Sequence, residues 1–199
     1  MRKQFNDIVI GGNGSGKTTF EIKVCLEYIK HSPEKRVLFI IPDDSEEKLD
    51  IVPEITVDEL KDFKGIVKLI AENDKIFSQI LDFFSDKKQR FNGLVIADDC
   101  GVFIKRRPEN VLRLFKRRRQ LNIDFLWSFH GFNTEMPRSF FTYVNRIYIF
   151  ETSDNHQWTK DILPMQKQLE FEKKYYEVQN LALTGKKYQF RELIIRNTN

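Results

Sequence analysis

Residues 11–18 read GGNGSGKT, a full match to the pattern G-x-x-x-x-G-K-[ST], and their flanks decide how the surrounding chain folds. Residues 5–10 (FNDIVI) are a short apolar run that predicts a buried strand, and from Thr19 the sequence TFEIKVCLEYIKH is long and periodic enough for a helix. Strand, glycine-rich turn and helix in that order make a phosphate cradle. Gly11, Gly12, Asn13, Gly14, Ser15 and Gly16 fold the backbone tightly with its N–H groups aimed at an anion. Lys17 is placed to reach the β/γ-phosphates, the Thr18 hydroxyl to join a Mg²⁺ shell, and Thr19 to open a helix whose N-terminus is partially positive. An incidental glycine turn with a stray lysine would not need eight matched positions between a strand and a helix. The motif implies a nucleoside-triphosphate site.

The rest of the chain alternates in the same way. Residues 36–41 (RVLFII), 94–97 (LVIA), 124–129 (DFLWSF) and 146–150 (RIYIF) predict further buried strands, with 65–70 as a peripheral one. Asn73 is a candidate N-cap for a helix whose apolar residues Ile76, Phe77, Ile80, Leu81 and Phe84 share one face, and residues 110–120 predict another helix. Strands separated by helix-length segments imply a mostly parallel α/β sheet with helices on both faces. The acidic stretch 43–64 is irregular, with only short helical segments expected. Residues 161–178 predict a charged surface helix, and 176–183 with 187–196, split by Thr184 and Gly185, a C-terminal β-hairpin. No repeat or linker divides the chain, which predicts one domain over 1–199 with a core over 5–151 and an extension over 152–199.

Composition excludes some classes. A chain of 199 residues with 41% hydrophobic content and 18 Phe has enough to bury a core. No apolar run approaches the ~18 residues of a membrane span. Residues 1–5 enter the first strand at once, so no signal peptide is expected. Cys25 and Cys100 form no CxxC pair, which predicts a reduced compartment and no zinc site. The net charge of +4 decides nothing, but Lys105-Arg106-Arg107 and 116–119 (KRRR) concentrate positive charge just after the 94–97 strand. Neither His31 nor His156 has metal or catalytic spacing, and both are expected at the surface.

An apolar strand ending in Asp98 and Asp99 supplies what a P-loop lacks. A carboxylate there sits beside the cradle and holds Mg²⁺, the role expected of Asp98 with Thr18. Asp99 stands where a carboxylate polarises the attacking water, or it caps the following turn. With Val111, Leu112, Leu114 and Phe115 defining the apolar face of the 110–120 helix, Arg113, Lys116, Arg117 and Gln120 fall on the solvated face. Arg118 and Arg119 would then turn towards the core. Either the helix stops near Arg117 or these side chains reach a phosphate or carboxylate.

Residues 117–124 (RRRQLNID), the strand ending Trp127-Ser128-Phe129-His130, and then Gly131 and Pro137 resemble the FtsK–HerA superfamily of ring-forming, DNA-pumping ATPases. Within it, the chain is most similar to the genome-packaging ATPases of tailless, membrane-containing phages and archaeal viruses. The resemblance covers roughly residues 5–151 through four short motifs and implies a RecA-like P-loop fold of the additional-strand catalytic carboxylate type. It implies ATP and Mg²⁺ as cofactors, and double-stranded DNA and a homo-oligomeric ring, commonly a hexamer, as partners. A capsid or membrane-protein docking partner and a cytoplasmic or virion-associated location, without membrane insertion, go with it. Arg119, or else Arg118, takes the place of the arginine finger that reaches a neighbouring subunit's nucleotide. Asn122 holds the glycine position of the turn, since Asn tolerates a left-handed backbone. His130 takes the polar sensor position, normally glutamine, or is a satisfied buried histidine. Lys105, Arg106 and Arg107 are placed in a loop that could line a DNA pore or be merely solvated. The rivals are a filamentous-phage assembly ATPase of the zonular-occludens-toxin type, a small-molecule kinase with an arginine-rich lid, and a nucleotide-gated switch.

Overall fold

The computed structural model describes residues 4–86, 90–131, 138–154, 156 and 163–196. Seven strands form one sheet: β1 (Asn6–Ile10), β2 (Arg36–Ile41), β3 (Ile66–Ile70), β4 (Gly93–Ala97), β5 (Ile123–Phe129), β6 (Arg146–Ile149) and β7 (Arg191–Ile194), in the order β3-β2-β4-β5-β1-β6-β7. All neighbours are parallel except β6 and β7. The placement of β5 between β4 and β1 matters most, because it is the additional strand separating the phosphate loop from the carboxylate strand.

Every residue of β1, β4 and β5 is buried, as a parallel strand covered on both faces requires. Alternate residues serve opposite layers. Ile8, Ile10, Val95 and Ala97 face a layer with Phe77 and Phe84 of α2 (Asp74–Ser85), Leu114 and Phe115 of α4 (Pro108–Leu121), and Phe171 and Tyr175 of α5 (Met165–Leu183). Val9, Leu94 and Ile96 face Cys25 and Tyr28 of α1 (Lys17–His31). A short helix α3 (Gly101–Arg106) joins β4 to α4. The Asn73 side chain accepts from the N–H groups of Lys75 and Ile76, so the expected cap of α2 is present. In residues 43–64 only two single-turn segments form, Glu47–Leu49 and Val57–Lys61.

Several expectations are corrected. There is no C-terminal hairpin: α5 runs on to Leu183, and β7 pairs antiparallel with β6 instead. The strand reading of 176–183 fails because Glu177, Gln179, Leu181, Ala182 and Leu183 are good helix formers, and Phe171, Tyr175 and Val178 continue one helical stripe into the core. The helix of the arginine run does not stop at Arg117 but continues to Leu121 and ends on Asn122, whose φ of 54° is the left-handed turn read from the sequence. Arg117 does not lie idle on a solvated face. Its guanidinium donates to the carbonyls of Phe84, Ser85 and Asp86, closing the C-terminus of α2. His156 is buried, with its ring 4.6 Å from that of Tyr175. Pro137 and the start of the 161–178 prediction lie outside the described residues.

Candidate nucleotide and metal site

Gly11 follows β1 directly, its N–H donating to the Phe129 carbonyl at 3.1 Å, while Gly12 N–H donates to Glu151 O at 2.7 Å. The loop is thus fastened to β5 and to the chain after β6. A Cβ on Gly11 would come 2.5 Å from Ser15 Oγ and 2.6 Å from Phe150 Cβ, so the first glycine is needed for close packing. Gly14 and Gly16 are needed for conformation, with φ of 71° and 101°. The turn hands over to α1 at Lys17, so the helix N-terminus faces the loop without a side-chain cap. Asn13 lines the adjoining cleft, Ser15 is buried, and Thr19 stands in the first turn of α1.

Lys17 and Thr18 are buried and lead to two linked clusters. Lys17 Nζ lies 3.3 Å from Gly12 O, 3.4 Å from His130 Nδ1 and 3.9 Å from Asp99 Oδ1. His130 Nε2 lies 2.8 Å from Asp99 Oδ2. An ammonium can only donate, so Nδ1 accepts from Lys17 and the proton of a neutral imidazole sits on Nε2, facing Asp99. Asp99 has a left-handed backbone (φ 50°), which is strain stored at the site rather than in a turn remote from it. His130 follows β5 and Asp99 follows β4 by one intervening residue, so the additional strand brings them together.

Thr18 Oγ1 lies 3.1 Å from Asp98 Oδ2 and 3.0 Å from Glu46 Oε2. Asp98 is 4% exposed and its Oδ1 has no hydrogen-bond partner, while burial, then the charge of Asp99, push its pKa up. A buried carboxylate with one oxygen left unpaired is suited to a cation. Three oxygens from Thr18, Asp98 and Glu46 suit a hard ion such as Mg²⁺, which takes few protein ligands and completes its shell with phosphate and water. Glu21, on α1 one turn after Thr18, is fully buried beside Asp98 and neither carboxyl oxygen has a hydrogen-bond partner. Burial first, and the charge of Asp98 second, raise its pKa well above the ordinary range. A cleft of about 680 Å³ opens here, lined among others by Asn13, Glu46, Asp98, Asp99, Phe103 and His130.

Sequence reasoning passed over Glu46 and Glu21. Glu46 carries no motif, because it lies in the irregular stretch that β2 happens to deliver beside the cradle. Glu21 did carry a signal: its i, i+3 and i, i+4 spacing from Thr18 and Lys17 puts it on their face of α1.

The arginines and lysines distribute differently. Arg118 is half-buried, donates to Phe115 O at 3.0 Å and leaves Nε without a partner, whereas Arg119 is exposed. Both stand near the end of α4, at the opposite end of the sheet from their own phosphate loop, and are not brought to the cleft. Lys105, Arg106 and Arg107 are not a loop: the first two form the last turn of α3 and Arg107 is the hinge to α4. The apolar residues Phe103 and Ile104 bury against the core, which winds this segment into a helix. Arg106 pairs with Asp74 at 2.8 Å, while Lys105 is exposed.

No protein-family model and no curated protein matches the chain. Solved structures do. The genome packaging NTPase B204 from Sulfolobus turreted icosahedral virus 2, in complex with ATP-gammaS, superposes with a TM-score of 0.72 at 13% identity, covering 98% of this chain and 94% of that one. The DNA-packaging ATPase from Sulfolobus turreted icosahedral virus gives 0.67 at 14% identity, with 98% and 94% covered. EssC (ATPases 2 and 3) from Geobacillus thermodenitrificans gives 0.50 at 12% identity, covering 78% of this chain and 34% of that one. At such identities the likeness is one of fold, and the fold is that of a P-loop NTPase.

Proposed function

We propose that the chain hydrolyses ATP and uses the energy to move double-stranded DNA, as one subunit of a ring that packages a viral genome. The observation that carries the reading is the convergence of Lys17, Thr18, Asp98, Asp99 and His130 at the carboxyl ends of β1, β4 and β5. The near end-to-end likeness in fold to a genome packaging NTPase supports the packaging role.

The loop N–H groups and Lys17 bind the β- and γ-phosphates. Thr18 and Asp98, with Glu46 beside Thr18 Oγ1, would hold Mg²⁺, which would neutralise charge on the phosphates. Asp99 Oδ1, 3.9 Å from Lys17 Nζ, is placed to orient the attacking water. His130, keeping its Nε2–H on Asp99, aligns that carboxylate and reports on the γ-phosphate. Arg119 enters the site of the adjoining subunit, in a ring taken as hexameric. Lys105 and Arg107, with Arg106 held by Asp74, offer sequence-indifferent contacts to DNA phosphates. Docking on a capsid or membrane protein completes the reading. No helix among the described residues is long and apolar enough to cross a membrane.

The kinase alternative rests on a lid from residues 105–119, and none of these lines the cleft, because they are wound into α3 and α4. Hydrolysis measured with and without double-stranded DNA tests the proposal. Stimulation in the wild type and its loss in Lys17→Ala are expected. Turnover that ignores DNA but rises with a phosphate-accepting small molecule would replace the motor with a kinase.

A further inference from the structure

The segment from Thr184 to Phe190 (TGKKYQF) belongs to no recognised motif, yet it brings Tyr188 against Gly16 of the phosphate loop. Its first end is fixed by the turn that closes α5: Gly185, with φ 79°, donates to Ala182 O at 2.9 Å and Lys186 N–H to Leu181 O at 2.9 Å. The other end is fixed by Phe190, whose ring stacks on Phe150 (5.2 Å, 27°) and meets Phe20 of α1 at 4.9 Å. Between these anchors stands Tyr188. Its φ is 62°, a left-handed backbone that a bulky residue adopts only under constraint, and its side chain is 65% exposed. The ring lies against the cradle itself, since a Cβ on Gly16 would come 3.0 Å from Tyr188 Cδ1 and 3.3 Å from its Cβ. An ordinary solvated tyrosine on a surface turn needs neither the strained backbone nor the contact with Gly16.

We infer that Tyr188 is the platform on which the purine base of the bound nucleotide stacks, an assignment that rests on the nucleotide reading of the P-loop. The carboxylates and His130 mark where the terminal phosphate lies, and neither Gly16 nor Tyr188 lines that cleft. A triphosphate held by the loop therefore sends its nucleoside away from the cleft, towards the side that Gly16 and Tyr188 occupy. There a wide aromatic face meets it, flanked by the exposed cations Lys186 and Lys187. Stacking tolerates any base because every base has a π-face, so the subsite takes adenine and guanine alike.

Calorimetric titration of the intact chain with ATP, GTP and inorganic tripolyphosphate, each with Mg²⁺, tests the assignment. Tyr188→Ala should weaken both nucleotides roughly 5- to 150-fold, the loss of one stacked base, and leave tripolyphosphate unchanged. Tyr188→Gly, which relieves the backbone, should match it, and Tyr188→Phe should bind like the wild type. Unchanged nucleotide affinity in Tyr188→Ala, or an equal loss for tripolyphosphate, overturns the platform. Lys17→Ala should lose all three ligands; if it binds them normally, the phosphate-loop reading itself fails, and the platform with it.

Discussion

Arg119 cannot serve the nucleotide of its own subunit, and the sheet says why. Residues 6–10 of β1 pair in parallel with 125–129 of β5, so the phosphate loop leaves the carboxyl end of β1 while Arg119 sits before the amino end of β5. Seven strand residues at ~3.3 Å each separate the two by roughly 20 Å. If Arg119 works as a finger it works in trans, and Arg119→Ala should keep ATP affinity while losing on the order of 10³–10⁵ in turnover. That is roughly 4–7 kcal/mol of transition-state stabilisation. Lys17→Ala loses its own site but still offers Arg119 to a neighbour. In rings formed from equal amounts of the two variants, about one interface in four pairs an intact Lys17 with an intact Arg119, if such fingers act across the interface. Steady-state hydrolysis should therefore recover to about a quarter of wild type for independent sites, from two inactive preparations. Arg118→Ala should behave otherwise, because its half-buried guanidinium serves Phe115 O within α4. Mixed rings, verified by native mass spectrometry, that stay inactive at every ratio would refute the trans assignment, as would full-speed turnover by an isolated Arg119→Ala monomer.

Glu46→Gln should raise the Mg²⁺ concentration needed for half-maximal nucleotide binding by about 10- to 100-fold, the usual cost of disturbing a carboxylate around a metal; an unchanged Mg²⁺ titration would remove Glu46 from the site. Asp7, 1% exposed with Arg146 Nη2 at 2.7 Å, has its pKa pushed up to about 7, chiefly by burial. A raised folded-state value means stability that is complete below the ordinary 3.8 and is lost as pH rises through about 7, up to about 4 kcal/mol for a shift of this size. Urea unfolding from pH 4 to 8 should show that slope, reduced in Asp7→Asn; parallel curves for the two proteins would contradict it.

What was legible in the sequence was whatever depends on neighbours along the chain. The cradle at 11–18, the cap at Asn73 and the left-handed turn at Asn122 each follow from residues within a few positions, and each is found in place. What the chain hid depends on partners from elsewhere. Residues 176–183 read as one arm of a hairpin, but the stripe of Phe171, Tyr175 and Val178 finds a core to bury in, and β6 takes its antiparallel partner from the 191–194 segment. Arg117 looked solvated on a helical projection because the open carbonyls of α2 were invisible there. The same division runs through the site. The motif residues sit on strand ends where the topology must converge, whereas Glu46 and Tyr188 arrive from irregular segments anchored by packing. A cradle of this kind can be written locally because phosphate looks the same in every nucleotide. The groups proposed to meet the cation, the base and a neighbouring subunit come from three separate parts of the chain, an arrangement that would let each change without disturbing the cradle.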